Sequence, residues 1–120
     1  FSPLTELTLK SGRRVDIAAL GEKGEIVVVE IKSGVADFRS DSKWQDYLDF
    51  CDRFFFAVPR DFPLEILPET AGLMVADQYG GDILRDCPGN PIPAARRKTV
   101  MLRFARAAAN RIHRSLDSER

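Results

Sequence analysis

Asp16, Glu30 and Lys32 stand at spacings that could do chemistry. Asp16 lies in the alternating run Arg14 to Leu20. Glu30 and Lys32 close the β-branched run Ile26 to Lys32, the strongest strand signal in the chain. Pairing Leu20 with Ile26 across Gly21-Glu22-Lys23-Gly24-Glu25 makes these runs a hairpin in which Ala18 faces Val28 and Asp16 faces Glu30. Directly opposed residues of antiparallel strands hold their Cβ atoms about 5 Å apart. Two carboxylates that close repel each other, and a divalent cation between them removes the repulsion. The two-residue period of a strand adds Lys32 to the face of Glu30. It leaves Val15, Ile17, Val27, Val29 and Ile31 opposite, as the expected core face. Two acids and a lysine at one end of a sheet suit phosphodiester hydrolysis. The cation polarises the phosphoryl oxygen and acidifies a bound water. Lys32 would orient or deprotonate that water, or neutralise charge on the transition state. Few protein ligands and several waters match the way Mg²⁺ is usually held, and Mn²⁺ is the expected substitute.

A third acid depends on the turn before. If Leu9 pairs with Arg13 across Lys10-Ser11-Gly12, Glu6 stands opposite Asp16 and can join the metal set. A two-residue turn would point Glu6 away.

The elements that must position these residues read as an α/β domain. Leu4 to Leu9, Arg14 to Leu20 and Ile26 to Lys32 form a β-meander with Ser11-Gly12 as a turn signal. A helix then starts at a cap on Ser40 or Asp41 and carries Trp44, Tyr47, Leu48 and Cys51 on one face. Phe54 to Val58 is an apolar strand stopped by Pro59. A strand after a helix after a strand predicts a parallel βαβ pair. Asp61 to Thr70 reads as a loop or short helix, and Leu73 to Ala76 and Ile83-Leu84 as further short strands. The last element, about 94–116, is a helix with Met101, Leu102, Ala105, Ala108, Ala109, Ile112 and Leu116 on one side, expected to dock on the sheet. Arg96, Arg103, Arg111 and Arg114 gather opposite. The whole predicts one domain over residues 1–120, a central mixed sheet flanked by helices.

Composition excludes other chemistries. The single histidine, His113, rules against a His-based zinc site or a Ser-His-Asp triad. Cys51 and Cys87 are far apart, in no metal-binding spacing, and read as reduced thiols of a cytoplasmic protein. No apolar run reaches the ~20 residues of a membrane span, and no secretory pattern is present. Formal net charge is zero, yet the charges are segregated. Seven basic residues and no acid lie between Ala94 and Leu116, which predicts a positive surface suited to a nucleic-acid backbone. Ser33, Asp37 and Arg39 fall in what reads as a loop just past Lys32, where Ser33 and Arg39 could touch a phosphate.

Val15-Asp16 on one strand and Glu30-Ile31-Lys32 at the end of the next resemble the signature of the PD-(D/E)XK nuclease superfamily, with Val15 in place of the namesake proline. The resemblance implies a restriction-endonuclease-like fold, with metal held by Asp16, Glu30 and the Ile31 carbonyl. Lys43 and Tyr47, four apart on the following helix, resemble the polar residue and tyrosine of an extra motif, which adds Lys43 to the catalytic set, with Gln45 as its alternative. Ser11 to Ile17, Val29 to Gly34, Asp41 to Tyr47 and Phe54 to Pro59 resemble more closely the MmcB-type DNA-repair endonucleases of alphaproteobacteria. That likeness implies a cytoplasmic bacterial protein acting in DNA repair and supplies no substrate. In the superfamily a helix carrying a further Glu precedes the first strand. Either such a helix lies outside this sequence or Glu6 takes its part.

The reading is therefore a Mg²⁺- or Mn²⁺-dependent DNA endonuclease, with DNA as partner and no membrane. Its alternative is a catalytically silent nucleic-acid-binding module of the same fold. A third reading makes the arginine face a contact for an acidic protein of a repair complex. Dimers among relatives keep a second copy in view.

Overall fold

The computed structural model describes residues 1–118, so the last two residues of the predicted domain lie outside it. A single six-stranded sheet runs in chain order: β1 (Ser2–Thr8), β2 (Arg14–Leu20), β3 (Ile26–Ile31), β4 (Arg53–Val58), β5 (Gly72–Asp77) and β6 (Gly80–Arg85). The first three strands pair antiparallel, β3–β4 and β4–β5 are parallel, and β6 returns antiparallel on β5. This is a mixed sheet of the α/β class, and the expected parallel β3–β4 pair is present. β1 is an edge strand, which is where Pro3, lacking an N–H, costs no ladder bond.

The crossover from β3 to β4 departs from expectation. Its first part is not a loop but helix α1 (Val35–Ser40), and Trp44–Phe50 winds as a 3₁₀ helix. Asp41 separates them: its N–H donates to the Phe38 carbonyl, closing α1, and its carboxylate accepts from the Lys43 N–H at 3.0 Å. A side chain competing for the next backbone donor ends one helix and starts another.

The core also sits on the other face from the one expected. The larger cluster covers Ala18, Ile26, Val28, Phe54, Phe56 and Val58, the side that also carries Glu30. Trp44 packs on it, stacked on Phe54 and edge-on to Phe56. Val27, Val29, Phe55 and Ala57 form a smaller cluster behind the sheet, with Ile17 at its margin, and Ile31 is 53% exposed. β3 is apolar on both faces, so alternation could not say which face the helices cover. Val15 nevertheless lies fully buried in the larger cluster with Ala18, three residues on, so the alternation of β2 breaks at Asp16 and Ile17.

Helix α2 (Ala94–Ser118) packs on β1 and the 3₁₀ helix. It docks through Arg97, Val100, Met101, Phe104, Ala107, Ala108 and Arg111. The expected docking stripe is only partly right: Leu102, Ala105, Ala109, Ile112 and Leu116 are exposed. Two arginines of the helix are tied inward instead, one to the residue before β4 and one to β1. Arg97 forms a salt bridge with buried Asp52, donating to its Oδ1 at 2.7 Å. Arg111 donates to the Glu6 carbonyl at 2.9 Å. These bonds rotate the helix away from the orientation its apolar residues alone would choose. Asp52 also accepts from the Ile26 and Ile92 N–H groups, which ties β3, the segment before α2 and α2 itself together.

Candidate active site

The turn chemistry fixes the acids. Leu20 pairs with Ile26 and Ala18 with Val28, the register expected for the β2–β3 hairpin. The ladder runs from Leu20↔Ile26 to Ile17↔Val29, and beyond it the carboxylates take over the role of the ladder carbonyls. The Asp16 N–H donates to Glu30 Oε1 at 3.0 Å, and the Ile31 N–H donates to Asp16 Oδ2 at 2.8 Å. Each acid thus holds the backbone beside the other. In the preceding hairpin the Leu9 N–H donates to the Arg13 carbonyl at 2.7 Å, so the turn is the three-residue one. Thr5 pairs with Ile17 and Leu7 with Val15, which sets Glu6 opposite Asp16. Glu6 has φ +55°, a left-handed conformation rare outside glycine.

The site has two sides. An open cavity of about 650 Å³ is lined by Thr5, Glu6, Asp16, Ile17 and Ile31. Glu30 and Lys32 lie on the helix-covered side, 5% and 6% exposed. Among the described residues no three acids, histidines or cysteines cluster closely enough to form a metal set. Glu6 therefore shares the cavity with Asp16 without joining Asp16 and Glu30 as a third close ligand.

Burial and charge tune the group. Glu30, beside Phe56, is desolvated, and the nearby Asp16 carboxylate adds to the effect; its pKa rises from 4.5 to about 7 despite the Asp16 N–H bond and the charge of Lys32. Lys32 donates to Asp41 Oδ2 at 2.7 Å. Burial works to lower the Lys32 pKa, but the bond and charge of Asp41 outweigh it, with Asp37 and Glu30 adding, and the ammonium is held above its ordinary range. The Asp41 contact thus favours the charged form of Lys32. Asp41 in turn is held ionised: burial opposes this, and the Lys32 and Lys43 hydrogen bonds prevail. Asp41, one of the two cap candidates with Ser40, is instead the partner of Lys32. Its signal was a carboxylate returning nine residues after a strand-end lysine.

The other expected site residues divide. Lys43 is exposed, and its described hydrogen bonds are made by its backbone: its N–H donates to Asp41 and its carbonyl accepts from the Asp46 N–H. Tyr47 is buried, stacked with Phe54, and its hydroxyl donates to the Arg14 carbonyl at 3.2 Å. Ser33 is engaged by Asp37 through both its N–H and its hydroxyl, and Arg39 is exposed on α1. Arg96 faces a different cavity from Arg103, Arg111 and Arg114: it lies over the Phe50 ring and donates to the Asp49 carbonyl.

Comparison with known proteins completes the picture. A family model described as DNA repair protein MmcB-like matches residues 1–119. The chain belongs to this family, which gives it a role in DNA repair. It is similar to a protein of unknown function from Silicibacter pomeroyi, at 46% identity and TM-score 0.92, over 98% of this chain and 80% of that one. None of the curated proteins matches the chain. No helix among the described residues is long and apolar enough to cross a membrane.

Proposed function

We propose that this MmcB-like protein is a Mg²⁺- or Mn²⁺-dependent DNA endonuclease of the PD-(D/E)XK type, with a restriction-endonuclease-like fold, working in repair. The observation that carries the reading is the Asp16–Glu30 pair at the open end of β2 and β3, with Lys32 locked as a cation beside it. A buried carboxyl whose ionisation is resisted up to about pH 7 is the kind of group a divalent cation relieves. Two carboxylates and the Ile31 carbonyl, completed by water, fit the sparse protein coordination of Mg²⁺. When bound, the ion would polarise the scissile phosphate and acidify a water.

The chain's own residues do the rest. Asp16, held through Ile31 N–H, and Glu30, held through Asp16 N–H, keep their carboxylates fixed relative to each other. Lys32 keeps its proton on Nζ and offsets negative charge gathering on the phosphoryl oxygens. Asp41 positions that ammonium. Burial disfavours the ionised form of Glu30, and a bound cation would favour it, so Glu30 would serve as a ligand.

One observation favours the silent binding module instead: each carboxylate already satisfies a backbone N–H and so is held without a metal. Calorimetric titration with Mn²⁺ and Mg²⁺ separates the two. A single site lost in Asp16→Asn supports the enzyme. Absence of any binding, with salt-dependent DNA binding intact, leaves only the module.

A further inference from the structure

A crevice of about 550 Å³ runs between β1 and α2. Its walls carry Glu6, Thr8, Arg103, Arg106, Arg111 and Arg114. Among the described residues, none of these four arginines has a carboxylate partner. The contrast within the molecule is sharp. Arg13 pairs with Asp46, Arg53 with Glu25 and Asp86, Arg60 with Asp77 and Asp82, and Arg97 with Asp52. This protein gives those four an acid, and gives Arg85 the Pro68 and Ala71 carbonyls. In the crevice it supplies one acid, Glu6, for four cations.

Glu6 belongs to both the crevice and the cavity that holds Asp16. Arg111 fastens the junction, donating to the Glu6 carbonyl and to Thr5 Oγ1. The left-handed backbone of Glu6 is thus held from the α2 side. Glu6 thus joins the arginine-lined crevice to the cavity beside Asp16. No aromatic residue lines the crevice, so it offers no platform for stacking bases.

We propose that this crevice is a phosphate track. It takes the sugar-phosphate backbone of one DNA strand and delivers it past Glu6 to Asp16, with Arg103, Arg106 and Arg114 as the phosphate contacts and Arg111 as the strut of the junction. The proposal rests on the DNA reading above. It makes contact with DNA a property of the backbone, indifferent to base sequence. It brings in Arg106, which shares the crevice, and leaves out Arg96, which does not.

The test is fluorescence anisotropy of labelled oligonucleotides in EDTA, over a range of salt, so that binding is read without cleavage. The protein is compared with Arg103→Gln/Arg106→Gln/Arg114→Gln and with Arg96→Gln. The three residues are exposed, and far-UV circular dichroism checks that the variant folds. Losing three phosphate contacts flattens the slope of log K against log salt by about 2.7 on duplex, or about 2.1 on single strand. The same loss is expected on two unrelated sequences, with Arg96→Gln unchanged. An unchanged slope in the triple variant, an equal loss in Arg96→Gln, or a loss confined to one sequence would each overturn the track. A protein that binds with the expected slope but never cleaves keeps the track and loses the nuclease.

Discussion

Replacing Glu30 by Gln should stabilise the protein, and only above acid pH. Glu30 is almost completely buried, and its carboxyl titrates near 7 rather than 4.5. A folded-state pKa raised this way means the fold favours the protonated acid. Below pH 4.5 the group is protonated whether folded or not, and it contributes no penalty. As pH rises through the interval to about 7 the unfolded chain ionises first, and stability falls. Above pH 7 the penalty is complete, about 3 kcal/mol. Gln keeps an oxygen to accept the Asp16 N–H and carries no charge. Urea denaturation in EDTA should therefore find Glu30→Gln equal to the parent at pH 4.5. At pH 8 it should be more stable by up to about 3 kcal/mol, a Tm gain on the order of 10 °C. Adding Mn²⁺ at pH 8 should narrow the gap, because the ion stabilises only the chain that binds it. A Gln variant no more stable than the parent at pH 8 would refute the claim that burial strains this carboxylate.

Three further outcomes follow from neighbouring geometry. Asp41→Asn removes the anion that holds Lys32 charged; an NMR titration should show the Lys32 Nζ pKa lowered, and DNA cleavage should fall about 10- to 100-fold, the usual effect of losing a group that orients a metal-site residue. Asp52→Ala leaves the Ile26 and Ile92 N–H groups without their acceptor and Arg97 without its carboxylate; urea denaturation should show a loss of about 3 kcal/mol or more. Gly72→Ala places a Cβ 2.3 Å from the Phe55 ring and 3.0 Å from the Cys87 backbone nitrogen, and thermal unfolding should show about 1–3 kcal/mol of overpacking cost.

The parts of the fold legible in the sequence were those with local signals. The Leu20↔Ile26 register follows from a five-residue turn between two β-branched runs, and that turn alone is enough to set Asp16 against Glu30. Ser11-Gly12 marks a turn but leaves two lengths open, and the structure takes the three-residue one, with Gly12 at φ +88°. Illegible were the features decided by tertiary competition. β3 is apolar on both faces, so the pattern named the wrong one as the main core. The docking side of α2 was set by Arg97 and Arg111, whose partners lie far away in sequence. Asp41 was read as a candidate cap because its partner, Lys32, is reached only when the chain folds back after α1.

The most direct measurement is cleavage of labelled linear, nicked and branched DNA with Mg²⁺ or Mn²⁺, comparing the protein with Asp16→Ala and Lys32→Ala. The account predicts that the parent cuts only with metal, that EDTA abolishes cutting, and that both variants bind DNA but do not cut. Metal-independent cutting, or full activity in Asp16→Ala, would contradict it.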